Sequence, residues 1–219
     1  MGDVNLLQPD DTAVELQLRC AYFAARRCRT TKDHDELIKE CWDTRLEIIG
    51  NKVWTMVQEE WAWDILRHMW FSFDIVGYPQ WFWAELGRHK FIKESIEPDQ
   101  LSQRAVKSDR LGVWNPFKDD DSKEFYLLHD QTHNFIRRMR EKGYTEDELR
   151  NASFQGVLVN RVISLNPETI HHLARMRGSK ELVGEFGGKA APLFQEMVGQ
   201  MWEYSRGRCP WIFKEVIIR

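Results

Sequence analysis

The sequence predicts a single domain of mixed helices and strands over residues 1–219. Three observations predict it. Several segments carry apolar residues at three and four spacing, two others carry strand patterns between turn residues, and a 219-residue chain sits within the size of one hydrophobic core.

Asp10, Asp11 and Thr12 form a cap signal, and Val14, Leu18, Ala21, Tyr22 and Ala25 then give an amphipathic helix over 12–28. A second helix is expected from Asp33 to Ile49 through Leu37, Cys41, Trp42 and Leu46, with Gly50 and Asn51 as its stop. Over 64–76 the period becomes two: Ile65, Met69, Phe71, Phe73 and Ile75 trace the apolar face of a strand that Gly77, Tyr78 and Pro79 should break. Pro79 can open a short helix to about Arg88, with Trp81, Glu85 and Arg88 on one side.

Pro98, Gly112 and Pro116 make 91–115 a loop-rich stretch where function is expected. Lys118 to Ser122 look like a polar linker into a helix through Phe125, Leu128, Thr132, Phe135, Ile136 and Met139, ended by Lys142 and Gly143. Thr145 and Glu148 frame a capping box before Arg150. Val157 to Leu165 is β-branched and suits a buried strand, Asn166 and Pro167 start a helix to Arg177, and Gly178 closes it. A last helix is expected over Pro192–Tyr204, followed by Pro210, Trp211, Ile212 and Phe213 as an apolar plug.

Thirty-one Lys and Arg against 34 acidic residues leave a formal charge of −3, so no bulk field drives binding to nucleic acid or anionic lipid. No run approaches the ~20 apolar residues of a membrane span, and Met1-Gly2-Asp3 lacks the basic flank of a signal peptide, which makes the cytoplasm the expected compartment. Cys20, Cys28, Cys41 and Cys209 have no metal-knuckle or disulfide-framework spacing and are expected to be reduced. Cys209 beside Arg208 suits a small core residue better than a nucleophile.

His129 and His133 share a helix face at the spacing of zinc metalloproteases, but no third ligand is evident and a solvated face is favoured; no metal is expected. His171 and His172 diverge by about 100° on a helix and cannot chelate one ion together. Serine-hydrolase elbows, P-loops and dinucleotide-binding glycine motifs are absent from the sequence. The densest polar information is Arg88-His89-Lys90 with Gln100-Leu101-Ser102-Gln103-Arg104 following, a set suited to a phosphorylated ligand because guanidinium groups grip phosphate bidentately.

Arg88-His89-Lys90 and Gln100 to Arg104 resemble the signature of the flavin-dependent thymidylate synthases, R-H-R followed by a serine within E-x-S-x-R. Other segments are similar in the same order. Ala24-Ala25-Arg26-Arg27-Cys28 resembles A-A-R-V-[SC], and Leu66-Arg67-His68-Met69-Trp70-Phe71-Ser72-Phe73 resembles F-E-H-x-x-F-T-F. Lys142-Gly143 through Arg150 resembles G-x-x-x-E-x-A-R. Asn166 through Arg177 is similar to N-A-R-S-L-x-[NH]-F-x-x-L-R, and Pro210 to Phe213 to P-W-x-F.

The resemblance implies an α/β fold with a central twisted, mainly antiparallel sheet flanked by helices, and a homotetramer with active sites shared between subunits. It implies FAD, with NADPH and methylenetetrahydrofolate as cosubstrates and dUMP as nucleotide. By the same resemblance Ser72, Arg88, His89, Lys90, Asn166 and His172 contact FAD. Glu85, Gln100, Ser102, Arg104, Arg150 and Arg177 line the nucleotide pocket, with Arg177 stabilising the charge that develops on a uracil ring attacked through C5. Lys90 stands for the third signature residue, four extra residues precede Ser102, Gln100 stands for Glu, Glu85 for Gln, Ala105 for Tyr and Glu168 for a cationic or polar contact. A methylase or hydroxymethylase of another pyrimidine nucleotide, and a non-catalytic nucleotide- or flavin-binding homologue, stay open as alternatives.

Overall fold

A computed structural model describes residues 2–7, 11–60, 62–88 and 112–216. Among them β1 (Asp3–Leu6), β2 (Phe71–Pro79) and β3 (Leu158–Leu165) form one sheet in the order β1-β2-β3. The sheet is antiparallel. The Leu7 amide donates to the Ser72 carbonyl at 2.8 Å. On the other side of β2, Ser72 meets Ser164 while Gly77 donates its amide to Asn160 Oδ1 at 2.9 Å, so one strand descends as the other rises. Phe71, Phe73 and Ile75 are buried as alternation requires. Gly77, at φ 75°, continues the strand instead of breaking it, because glycine accepts the left-handed backbone that other residues resist. The strand starts at Phe71, not near 64, since Trp63–His68 forms a 3-10 turn.

The chain divides into two compact units, Met1–Asp3 with Asp74–Ile163, and Val4–Phe73 with Ser164–Arg219. In the second, α1 (Asp11–Arg27) packs on α2 (His34–Asp43), on α3 (Leu46–Glu60) and on the 3-10 turn. The single helix expected over 33–49 is broken at Thr44, whose hydroxyl donates to the Glu40 carbonyl at 2.6 Å. The Arg19 guanidinium then caps the end of α2 by donating to the carbonyls of Cys41 and Thr44. Gly50, expected as a stop, lies inside α3. A Cβ there would come 2.5 Å from the Trp211 ring, so this glycine serves close packing of the carboxy-terminal plug. Ile212 and Phe213 are fully buried, and α7 (Pro167–Arg177) packs on α9 (Pro192–Arg208), which runs a turn beyond its expected end at Tyr204.

The other unit holds α4 (Gln80–Leu86), α5 (Asp119–Glu141) and α6 (Glu146–Leu149). The supposed linker Asp119 to Asp121 is the first turn of α5, where carboxylates are favoured by the helix dipole. Thr145 and Glu148 form the expected capping box. The last short helix, α8 (Lys180–Val183), belongs to the second unit, with α7 and α9.

Candidate functional site

Of the expected site residues, Ser72 lies on β2, and Asn166, His172 and Arg177 lie at the start, middle and end of α7. Ser72 Oγ and Ser164 Oγ lie 2.8 Å apart across β2 and β3. Two residues later Asn166 caps α7: its Oδ1 accepts from the Thr169 amide at 2.8 Å and from the Thr169 hydroxyl at 2.9 Å. Pro167 in the first helical turn pre-sets the backbone, and one face of the helix is anchored by buried Ile170, Leu173 and Ala174. His172 is half-buried, with its Nδ1 3.4 Å from the Arg175 guanidinium. Arg177, also half-buried, ends the helix with its guanidinium carbon 5.2 Å over the Phe194 ring. A cation at a helix C-terminus is favoured there by the dipole as well.

Glu168 falls where the resembling motif has Arg, and Arg67 where it has Glu. The two are ion-paired, Nε to Oε2 at 3.2 Å. The two positions lie about a hundred residues apart in separate motifs, so the exchange shows only when they are set side by side.

In the other unit Glu85 and Arg88 are brought together at the end of α4, 2.7 Å apart. Arg150 is exposed and paired with Asp147, one turn earlier. His89, Lys90, Gln100, Ser102 and Arg104 lie outside the described residues. Reading for motifs missed Arg161. Its position between Val159 and Ile163 on β3 puts it on the buried side of the strand, where its guanidinium stands 5.0 Å over the Trp83 ring and burial lowers its pKa.

The alternatives fare differently. His129 is buried, not solvated, with its ring 3.9 Å from that of His133 and 5.7 Å from Phe154. No group of three or more metal-ligating side chains occurs among the described residues. His171 sits in the core and bonds the Ile212 carbonyl at 3.0 Å, which separates its role from that of His172. All four cysteines are free, and burial pushes the Cys209 thiol up to about 12, so it is no thiolate at neutral pH. Arg26, in the A-A-R segment, is held by Glu40 at 2.9 Å. The hydrogen bonds from Arg26 and Lys32 hold the Glu40 carboxyl down to about 2. A cavity of about 660 Å³ along α9 contains none of the expected residues. Two of its polar side chains already serve the fold, Gln200 accepting from the Val4 amide and Gln195 donating to the Ala190 carbonyl.

The sheet and helix define an α/β protein in which Ser72, Ser164 and Asn166 lie where β3 passes into α7, with His172 further along that helix and Arg177 at its far end. The family model described as thymidylate synthase complementing protein matches residues 13–211, and the chain belongs to that family, the flavin-dependent thymidylate synthases. No curated protein matches the chain. Membership implies a thymidylate synthase-type enzyme that uses FAD and acts on a nucleotide. No helix among the described residues is long and apolar enough to cross a membrane.

Proposed function

We propose that the chain, as a single domain over 1–219 in a cytoplasmic homotetramer, transfers a one-carbon unit to C5 of a pyrimidine nucleotide. The default reaction is dUMP to dTMP with methylenetetrahydrofolate and NADPH. The observation that carries this reading is the order in which Ser72 on the central strand β2 and Asn166, His172 and Arg177 along α7 follow the family's motifs.

The donor set fits a flavin dinucleotide. The Ser72 hydroxyl and the Asn166 side-chain N–H group, whose oxygen partner is already engaged in the cap, suit ring carbonyls and ring nitrogens. Arg88 keeps guanidinium donors beyond the one on Glu85, and its side chain is 74% exposed, suited to a pyrophosphate. His89, Lys90 and His172 complete the proposed cofactor set. FAD supplies hydride chemistry and relays the one-carbon unit.

The protein's part is binding, orientation and charge. Arg177 faces a uracil whose O4 gains negative charge as C5 reacts, and a guanidinium half-removed from water stabilises that charge more than a solvated one. Arg150 and Arg104 hold the nucleotide phosphate, while Glu85, Gln100 and Ser102 read the remaining polar edges. No cysteine attacks, consistent with the neutral Cys209 thiol. A second reading, methylation or hydroxymethylation of another pyrimidine nucleotide, is favoured by Glu85, whose carboxylate accepts only and is fixed by Arg88.

Purified protein should be yellow, absorbing near ~450 nm with roughly one flavin per chain. Incubation with NADPH, methylenetetrahydrofolate and a panel of pyrimidine nucleotides, read by mass spectrometry, should give a methylated product with dUMP. Product from a different nucleotide selects the second reading. Colourless protein that takes up no FAD rejects both, and flavin binding with every nucleotide unchanged makes the chain a non-catalytic homologue.

A further inference from the structure

Helix α5 carries an outward stripe that is complementary to itself. Asp120, Glu124, Leu127, Gln131, Phe135, Arg138 and Lys142 follow one another at intervals of 4, 3, 4, 4, 3 and 4, a spacing that reads the same in both directions from Gln131. At 3.6 residues per turn the six within the helix, and Lys142 at its C-cap if the turn is continued, lie within about 40° of the Gln131 direction. His129 and Ile136, the buried residues of this helix, lie about 140–160° round the axis. All seven stripe residues are exposed, including Leu127 at 60% and Phe135 at 43%.

The two halves differ in sign. Asp120 and Glu124 precede the centre, and Arg138 and Lys142 follow it. The helix dipole alone accounts for acid at one end and base at the other. It does not account for two large apolar side chains placed symmetrically between them and open to water.

We propose that α5 pairs with α5 of a second copy of this chain, antiparallel about a two-fold axis through Gln131. This deepens the proposed assembly by naming one of its surfaces, and rests on the chain being an oligomer. In that pairing Asp120 meets Lys142, Glu124 meets Arg138, Leu127 meets Phe135 and Gln131 meets its own copy, each contact occurring twice except the last. Opposed helix dipoles and the four charge pairs fix the antiparallel sense, and the Leu127 and Phe135 pairs cover the apolar surface those two side chains expose. Asp120 already pairs with Lys123, but both side chains are more than four-fifths exposed, so exchange for Lys142 costs little. Two 11-residue intervals keep the stripe nearly straight along an α-helix about 35 Å long, so neither helix needs to supercoil left-handedly to stay in contact.

The test is charge reversal of the full-length protein with mass read by sedimentation at matched concentrations. Glu124→Arg sets Arg against Arg138 twice, and Arg138→Glu sets Glu against Glu124 twice. Each single variant should keep wild-type circular dichroism, weaken self-association by at least about tenfold and shift mass towards half. The double variant Glu124→Arg with Arg138→Glu should recover the wild-type mass. An oligomeric wild type whose mass neither single variant changes overturns the α5 pairing and leaves the assembly reading standing. Singles that dissociate with a double that does not recover place the effect outside this pairing and overturn it too. A monomeric wild type overturns both.

Discussion

Arg67 and Glu168 form an ion pair at 3.2 Å that reverses the charges of the family motifs at both positions. Glu168 is 18% exposed and lies in the first turn of α7, beside the Asn166 cap, so an unpaired carboxylate there would burden the proposed flavin corner. Arg67 is 57% exposed, which limits the value of the pair to about 0.5–1 kcal/mol. Arg67→Glu should therefore lower the urea midpoint slightly and flavin occupancy several-fold, because two carboxylates then face one another. The reciprocal double variant Arg67→Glu with Glu168→Arg should regain both. A double variant no better than its worse parent would show that the two charges act separately.

His171 makes stability depend on pH. Its ring is stacked on Phe213 at 5.3 Å and meets Trp202 at 4.9 Å, its Nε2–H donates to the Ile212 carbonyl, and its buried Nδ1 has no hydrogen-bond partner. Burial pulls its pKa down from 6.5 to about 4. The folded protein thus keeps the ring neutral while the unfolded chain takes up a proton, so this contribution is intact above about pH 6.5, falls as pH drops to about 4 and is flat below. The expected loss is on the order of 3 kcal/mol, read as the urea unfolding free energy at a series of pH values. His171→Gln should flatten that slope; identical slopes for the two proteins would remove the role assigned to the imidazole.

What was legible in the sequence was whatever depended on neighbours along the chain. The Thr145 capping box, the Asn166-Pro167 helix start and the alternation Phe71-x-Phe73-x-Ile75 are local devices, and the structure contains each. The errors came where a distant residue decided. Gly50 looked like a stop because its partner Trp211 is 161 positions away, and Thr44 broke a periodic helix because Arg19 caps the carbonyls there. Strand β1 is short and gave no period to detect. Of the proposed site, motif order points to Ser72, Asn166, His172 and Arg177, whereas the Arg67–Glu168 pair becomes visible only when two motifs distant in sequence are set side by side.

Cys209 should be chemically silent. It is fully buried, and burial raises its pKa to about 12, while Cys20 and Cys28 are exposed. Iodoacetamide at about pH 8 should modify Cys20 and Cys28 in the folded protein and reach Cys209 only in urea, as peptide mapping would show. Cys209→Ala should cost about 1 kcal/mol of stability through the lost packing and leave kcat unchanged. Native-state labelling of Cys209 accompanied by loss of turnover would restore a thiolate mechanism.

Arg177 offers the sharpest separation between catalysis and packing. Its guanidinium stacks on Phe194 and sits at the dipole-favoured end of α7, two contributions that together are worth about 1 kcal/mol to the fold. Its proposed role at the uracil is larger, since removing one group that holds developing charge typically costs about 10²–10³ in kcat. Arg177→Ala should therefore cut kcat by that factor with a small shift in the unfolding midpoint and an unchanged flavin content. Arg177→Lys keeps the charge but loses the planar fork, and should fall between. Phe194→Leu removes the stacking surface and leaves the guanidinium in place, so it should reproduce the stability loss without the loss of turnover. If Phe194→Leu and Arg177→Ala lower kcat equally, the arginine acts through helix packing; if Arg177→Ala turns over within about twofold of wild type, its charge does not face the reacting ring.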